Sequence, residues 1–321
     1  MIDAADRFGV LAVASRSGFD ESVHLGAGVA LGPDGGAVAG IGSPDVVVYP
    51  RSCLKPLQAH AMLAAGLELD DRQLALACAS HDGSPAHLDV VRSILERYGL
   101  TEAYLDNTPS RPTDPAARNA ARLAGVGPSS LQQNCSGKHA AMLATCVVNG
   151  WPTDGYRQAD HPVQVAIVAG IEALGCAVAH IGVDGCGAPT HAFALVQLAG
   201  AFSRLAASDG TVADAMRRHP ELVAGPTRDV TRWMQAVPGL VAKDGAAGVF
   251  AAAGDGRAVA FKVADGSNEA RRAVVAAGLR AAGIAVDDVA GDVVDELRVP
   301  VLGHGEPVGE IRALEWLPCS S

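Results

Sequence analysis

Three short stretches of this chain carry side chains that could perform acyl transfer. The first is Arg51-Ser52-Cys53-Leu54-Lys55, a Ser-x-x-Lys followed by Pro56. Proline lacks an N–H and is cheap only in the first turn of a helix, so the spacing predicts a helix opening close to Ser52. Lys55, three residues on, then lies over the same face as the Ser52 hydroxyl. A lysine desolvated in that place has a lowered pKa and can take the serine proton. The second stretch, Ser80-His81-Asp82-Gly83, follows the apolar run 74–79 and offers a second hydroxyl to relay a proton to a leaving group. The third, Lys243-Asp244-Gly245, leads into a late strand, where its ammonium adds positive potential at a sheet edge. Taken singly, each has a plainer explanation: chance spacing, a helix-end serine, a solvated loop charge. Their order along one chain is what argues for an enzyme, because it is the order found in serine hydrolases of the Ser-x-x-Lys type.

A second constellation is Asn134-Cys135-Ser136-Gly137-Lys138-His139, with Asp184-Gly185-Cys186-Gly187 downstream. Both cysteines fall in glycine-containing loop-to-helix junctions, where backbone can approach a ligand closely. Two thiolates can bind zinc, but structural zinc sites want four ligands and usually Cys-x-x-Cys, which this chain lacks. Spacing alone therefore favours buried free thiols. His139 is either an extra ligand or a hydrogen-bonded core histidine. Glu21-Ser22-Val23-His24 could bind a polar ligand or form an ordinary surface strand, and His60, His87 and His191 fall on helical stretches without assignable partners.

The elements that must position these groups read as strands first. Runs at 8–15, 26–31 and 37–41 flank turn residues, among them Gly32-Pro33-Asp34-Gly35-Gly36, and a short β-rich run covers 45–49. Helical periodicity then takes over: Ser84-Pro85 opens a helix that stops at Gly99, and others cover 136–149, 163–174 and 190–205. Strands return at 248–253 and 257–263 around Gly254-Asp255-Gly256, then a helix at 268–282 and a closing strand at 308–314. Strands at both ends with helices between predict an α+β fold in one domain, 1–321. Its antiparallel sheet comes from about 1–50 and 240–321, with a helical region at about 51–239 inserted. Alternating βα units, and with them a Rossmann-type sheet, are absent.

Composition narrows the function classes. The 321 residues carry 25 basic and 35 acidic groups, a net charge of −10, so no basic stripe exists to neutralise nucleic acid phosphates. Aromatics at 4% argue against a base-stacking platform, and 49% hydrophobic residues supply a sizeable core. Charges such as Lys243, Asp244 and Arg257 interrupt the apolar runs before the roughly 20 residues a membrane span needs. Asp3, Asp6 and Arg7 stand where an export signal would be apolar, and seven cysteines, an odd number, suit a reducing compartment. The expected location is cytoplasmic.

The blocks at 21–24, 51–56, 80–81, 134–139, 184–189 and 243–248 together resemble the L-asparaginase II family, the class 3 asparaginases of the Rhizobium etli type. The resemblance covers nearly the whole chain. It implies a fold related to serine β-lactamases and glutaminases, a homodimer, and hydrolysis of L-asparagine to L-aspartate and ammonia. Two Ser–Lys tandems are implied, Ser52 with Lys55 and Ser80 with Lys243. Lys262 is a second lysine near the latter's expected place, and Lys-x-Gly on the strand favours Lys243. The resemblance also implies a Zn2+ site at Cys135, Lys138 and Cys186, adjoined by Arg51 and Asp184. On chemistry, Arg51 suits the substrate α-carboxylate and Asp184 the α-ammonium, with His139 grouped beside them. The chain departs from related patterns at Asp244, where a hydroxyl residue is expected, and at Ala247, where an acidic one is. Competing expectations are a glutaminase, a β-lactamase- or peptidase-like hydrolase, and a non-catalytic zinc or amino-acid sensor. The first would need a pocket only one methylene longer.

Overall fold

Short apolar runs punctuated by two-residue turns build most of the sheet. In the computed structural model, which describes residues 7–207 and 211–319, the strands are β1 (Gly9–Arg16), β2 (Phe19–Leu31), β3 (Ala37–Ile41), β4 (Val47–Val48), β5 (His180–Val183) and β6 (Pro189–Ala194). They continue as β7 (Val241–Gly245), β8 (Val249–Gly254), β9 (Arg257–Val263), β10 (Val299–Gly303), β11 (Glu306–Ala313) and β12 (Leu317–Pro318). Asp255 and Gly256, both at positive φ, join β8 to β9 in the tight turn that an Asp-Gly pair favours.

The main sheet runs β10-β11-β1-β2-β9-β8-β7, all antiparallel, with β3 paired to β2 and β12 to β3. Strand β2 is long enough to serve two partners on one side. Its first half pairs with β1 up to Gly26, and β3 takes over at Gly28. Every residue of β7 and β8 is buried, so this half of the sheet is covered on both faces. Helices Leu195–Ala207 and Asn268–Ala281 pack on the sheet. The α+β arrangement with a sheet drawn from both ends of the chain is as expected.

Three expectations need correcting. The run 45–49 does not extend the main sheet; only Val47–Val48 is a strand, and it pairs with β6 in a second sheet, β4-β6-β5. The helix expected at 190–205 begins at Leu195, because 190–194 belongs to β6. A short buried apolar run fits strand or helix equally, and here the available partners β4 and β5 decide it. The inserted helical region therefore holds strands of its own. Finally, Lys243 does not precede a strand but lies within one, β7, at the edge of the main sheet.

The remaining helices follow their sequence signals. Pro85–Arg97, Ser136–Asn149 and Pro162–Ala173 match the expected spans to within two residues. Gly150 stops the second in the left-handed conformation. Among the described residues no helix is long and apolar enough to cross a membrane.

Candidate active site

The Ser-x-x-Lys lies at the mouth of a helix, as its proline requires. Arg51–Leu54 forms a 3-10 turn, and the α-helix Lys55–Ala64 continues from it with Pro56 in its first turn. Arg51 has φ +53°, an uncommon conformation for a residue with a side chain and one that concentrates at functional sites. Lys55 is 1% exposed; its Nζ donates to the Ala79 carbonyl and, at 3.1 Å, to Ser80 Oγ. Burial lowers the Lys55 pKa; the Cys135 sulfur opposes this and the Lys243 and Lys138 charges reinforce it, leaving a net shift downward. Ser52 is half-buried, and its hydroxyl makes no hydrogen bond among the described residues.

Strand β7 closes one side of this mouth. Lys243 is wholly buried and donates to the Asp244 carbonyl at 2.7 Å and to Asp244 Oδ1 at 2.6 Å. Asp244 Oδ2 accepts from Arg228 at 2.7 Å. Burial works to raise the Asp244 pKa, but Lys243, Arg228 and Arg271 hold it far below the usual carboxylate range. The Cys53 thiol donates to the Lys243 carbonyl at 3.0 Å and so ties the turn to the strand. Burial pushes that thiol up to about 12, which keeps it protonated. Gly245 explains the Lys-x-Gly pattern: a Cβ there would stand 2.5 Å from the Pro50 carbonyl, so only glycine lets β7 approach the turn.

The second expected tandem, Ser80 with Lys243, is not hydrogen-bonded as a pair among the described residues. Ser80 is hydrogen-bonded to Lys55, whereas Lys243 spends its bonds on Asp244. Lys262, on β9, bonds the carbonyls of Val263 and Ala264 and lies near Asp265 and Arg51 instead.

Ser52 and Ser80 open onto one cavity of about 480 Å³, together with Asn134, Arg228, Asp244 and Arg271. Sequence reasoning missed Arg228 and Arg271, and with them Asp229, which Arg271 bonds at 2.6 Å. An arginine in a helical first turn carries no motif, and its carboxylate partner lies 42 positions away.

Behind Lys55 lies the sulfur cluster. Cys135 sits just before helix Ser136–Asn149, and Cys186 in the turn between β5 and β6. Lys138 Nζ is 3.3 Å from Cys186 Sγ, which is 3.8 Å from Asp184 Oδ2. A hydrogen bond from Cys186 lowers the Cys135 pKa well below the ordinary thiol value; burial opposes this, and Lys55 and Lys138 add to it. The Cys186 thiol is raised in turn. Burial would lower the Lys138 pKa, but the two sulfurs and Asp184 raise it. Two buried sulfurs and an amine nitrogen form a soft donor set of the kind zinc accepts, once the amine gives up its proton. Among the described residues no group of three or more His, Cys, Asp or Glu is arranged to hold a metal, so any such site needs Lys138.

The expected substrate-binding residues do not line the cavity. Arg51 and Asp184 neutralise each other, with Arg51 Nε and Nη2 at 2.7 and 2.6 Å from Asp184 Oδ1. Burial would raise the Asp184 carboxyl, but Lys138 and Arg51 hold it below its usual range. His139 is fully buried and bonded through Nδ1 to the Tyr156 hydroxyl at 2.8 Å. Of the other histidines, His24 bonds Asp265 at 2.8 Å, His87 lies 2.8 Å from Asp82, and His191 is buried in β6. None lines the cavity.

Comparison with protein families bears on this geometry directly: the model of L-asparaginase II matches residues 12–313, nearly the whole chain. The chain belongs to the L-asparaginase II family. Membership in the asparaginase II family makes it an amidohydrolase and supports hydrolysis of asparagine. Among solved structures it is similar to a β-lactamase from Mycobacterium bovis, with 14% identity and a TM-score of 0.37, over 82% of this chain and 94% of that one. No curated protein matches.

Proposed function

We propose that this chain hydrolyses L-asparagine to L-aspartate and ammonia through a serine acyl-enzyme. The observation that carries the reading is Lys55, buried and bonded to Ser80 at a cavity that Ser52 shares. Burial favours the neutral amine, which is the form a base needs. Ser52 Oγ attacks the side-chain amide carbon and its proton passes to Lys55. The oxyanion is held by backbone N–H groups of the 3-10 turn, including that of Ser52. Ser80 then hands a proton from Lys55 to the departing nitrogen as the C–N bond breaks. Water cleaves the β-aspartyl ester by the reverse relay, restoring Ser52. Lys243, locked on Asp244, supplies fixed positive potential beside the turn.

Cys135, Lys138 and Cys186 would hold Zn2+ in this reading. When bound, the metal would supply positive charge beside Lys55. Arg51 and Asp184 position that cluster, and His139 supports its helix from behind. The family resemblance and the buried thiols support a homodimer in the reducing cytoplasm.

Ammonia release from L-asparagine, with L-glutamine in parallel, tests the reading. Wild type should turn over asparagine, and Ser52→Ala should lose at least about 10³-fold in rate. No ammonia from asparagine, or an unchanged rate in the variant, overturns it; faster release from glutamine would make the chain a glutaminase. Cys135→Ser should keep the fold by circular dichroism and lose its metal, and an unaltered zinc content by elemental analysis would remove zinc from the assignment.

A further inference from the structure

Among the described residues, Arg271 is the one buried cation of the cavity wall with an unpartnered N–H. It lies in the first turns of helix Asn268–Ala281 and is 1% exposed. Its Nε donates to Asn268 Oδ1 at 2.9 Å and its Nη2 to Asp229 Oδ2 at 2.6 Å. Those two bonds fix the plane of the guanidinium. Nη1, buried in the same plane, has no partner among the described residues. A buried cationic N–H without an acceptor is costly, and the strongest relief is an anionic oxygen in line with it.

The charges around it point the same way. Arg228, Arg271 and Arg272 line the cavity against the carboxylates of Asp229 and Asp244, and Lys243 adds a further cation behind Asp244. Arg228 and Lys243 share Asp244, Arg271 has Asp229, and Arg272 has no ion-pair partner among the described residues. The wall thus has more positive than negative groups and suits an anionic group such as a carboxylate. Arg51, the arginine that the sequence points to for this task, is bonded to Asp184 through Nε and Nη2 and does not line this cavity.

We infer that Arg271, and not Arg51, receives the α-carboxylate of the substrate through its free Nη1 and thereby selects amino-acid amides over simple amides. The inference rests on the asparagine-hydrolysis reading above. Arg271 is a specificity residue here: it touches the unreacting end of the substrate, while Ser52 and Ser80 face the amide.

The test compares L-asparagine with 3-aminopropanamide, which is asparagine without its α-carboxylate. Wild type should prefer asparagine in kcat/KM, and Arg271→Gln should reduce that preference about 100-fold, mainly through the KM for asparagine. Arg51→Gln should change the preference less than about threefold. Removing Arg271 leaves Asp229 buried without its cation, so the double variant Asp229→Asn/Arg271→Gln is measured alongside; it should show the same loss of preference. Binding of L-aspartate by calorimetry gives a second readout, expected to weaken about 100-fold in both Arg271 variants. An unchanged preference in a folded Arg271 variant, or a collapse with Arg51→Gln instead, overturns the inference. Failure of wild type to act on asparagine at all defeats the asparagine-hydrolysis reading itself.

Discussion

Two lysines, Lys55 and Lys243, are both removed from water where strand β7 packs on the Ser52 turn, and they differ in what they bond. Lys55 at the helix mouth is bonded to a carbonyl and a hydroxyl, neither of which compensates a positive charge fully. Lys243 at the sheet edge is bonded to a carboxylate that a third cation, Arg228, also holds. In the first place burial is opposed only by a nearby sulfur, and the lysine is driven toward its neutral form. In the second, the ammonium is one corner of a buried ion network. In the proposed mechanism, proton transfer falls to the helix mouth and fixed potential to the sheet edge. What a buried lysine does is set by whether its nearest oxygen carries a charge.

That contrast can be broken experimentally. The largest expected effect is on rate: Lys55→Met should lower kcat for asparagine about 10²–10⁴-fold, the range for losing a general base, with the thermal midpoint within a few degrees of wild type. A variant with full kcat would assign the base elsewhere. Lys243→Met should act first on stability, reducing the free energy of unfolding in urea by about 3 kcal/mol, because it strips one cation from a buried carboxylate that keeps Arg228. If Lys243→Met left the urea midpoint in place and abolished turnover, the two roles would have to be exchanged.

A smaller effect sharpens the same point through pH. The folded-state pKa of Asp244 is depressed by Lys243, Arg228 and Arg271 against the upward pull of burial. Its contribution is fully present above the unfolded-state value of about 3.9 and is lost as pH falls toward the lower folded-state value. The thermal midpoint should therefore be flat between about pH 7 and pH 5 and decline below about pH 4. Lys243→Met should decline less steeply there, and an identical slope would remove Asp244 from the acid response.

Much of this site was legible before any coordinates. The Pro56 rule located the helix mouth, Lys-x-Gly located the strand at the turn, and the Asn-Cys-Ser-Gly-Lys-His and Asp-Gly-Cys blocks located the sulfurs. Each of these signals is local: a missing N–H, a missing Cβ, or thiols beside glycines. What escaped was pairing. Ser80 went to Lys55 and not to Lys243, Arg51 closed on Asp184, and Arg271 was found only by its bond to Asp229. The strand 190–194 escaped for the same reason, since its identity depends on β4 and β5 beside it.

The amino-acid sequence by itself determined which chemical groups this protein has, which turns and helix starts present them, and that its two ends build an antiparallel sheet. Those properties follow from local sterics and periodicity, which act over a few residues. Only the tertiary structure decided which cation meets which anion, and so which lysine is left without a carboxylate and which arginine keeps a free N–H. The reason is electrostatic: in a low-dielectric interior the state of an ionisable group depends on neighbours a few ångströms away, and at this buried site those neighbours arrive from as far as 190 residues along the chain.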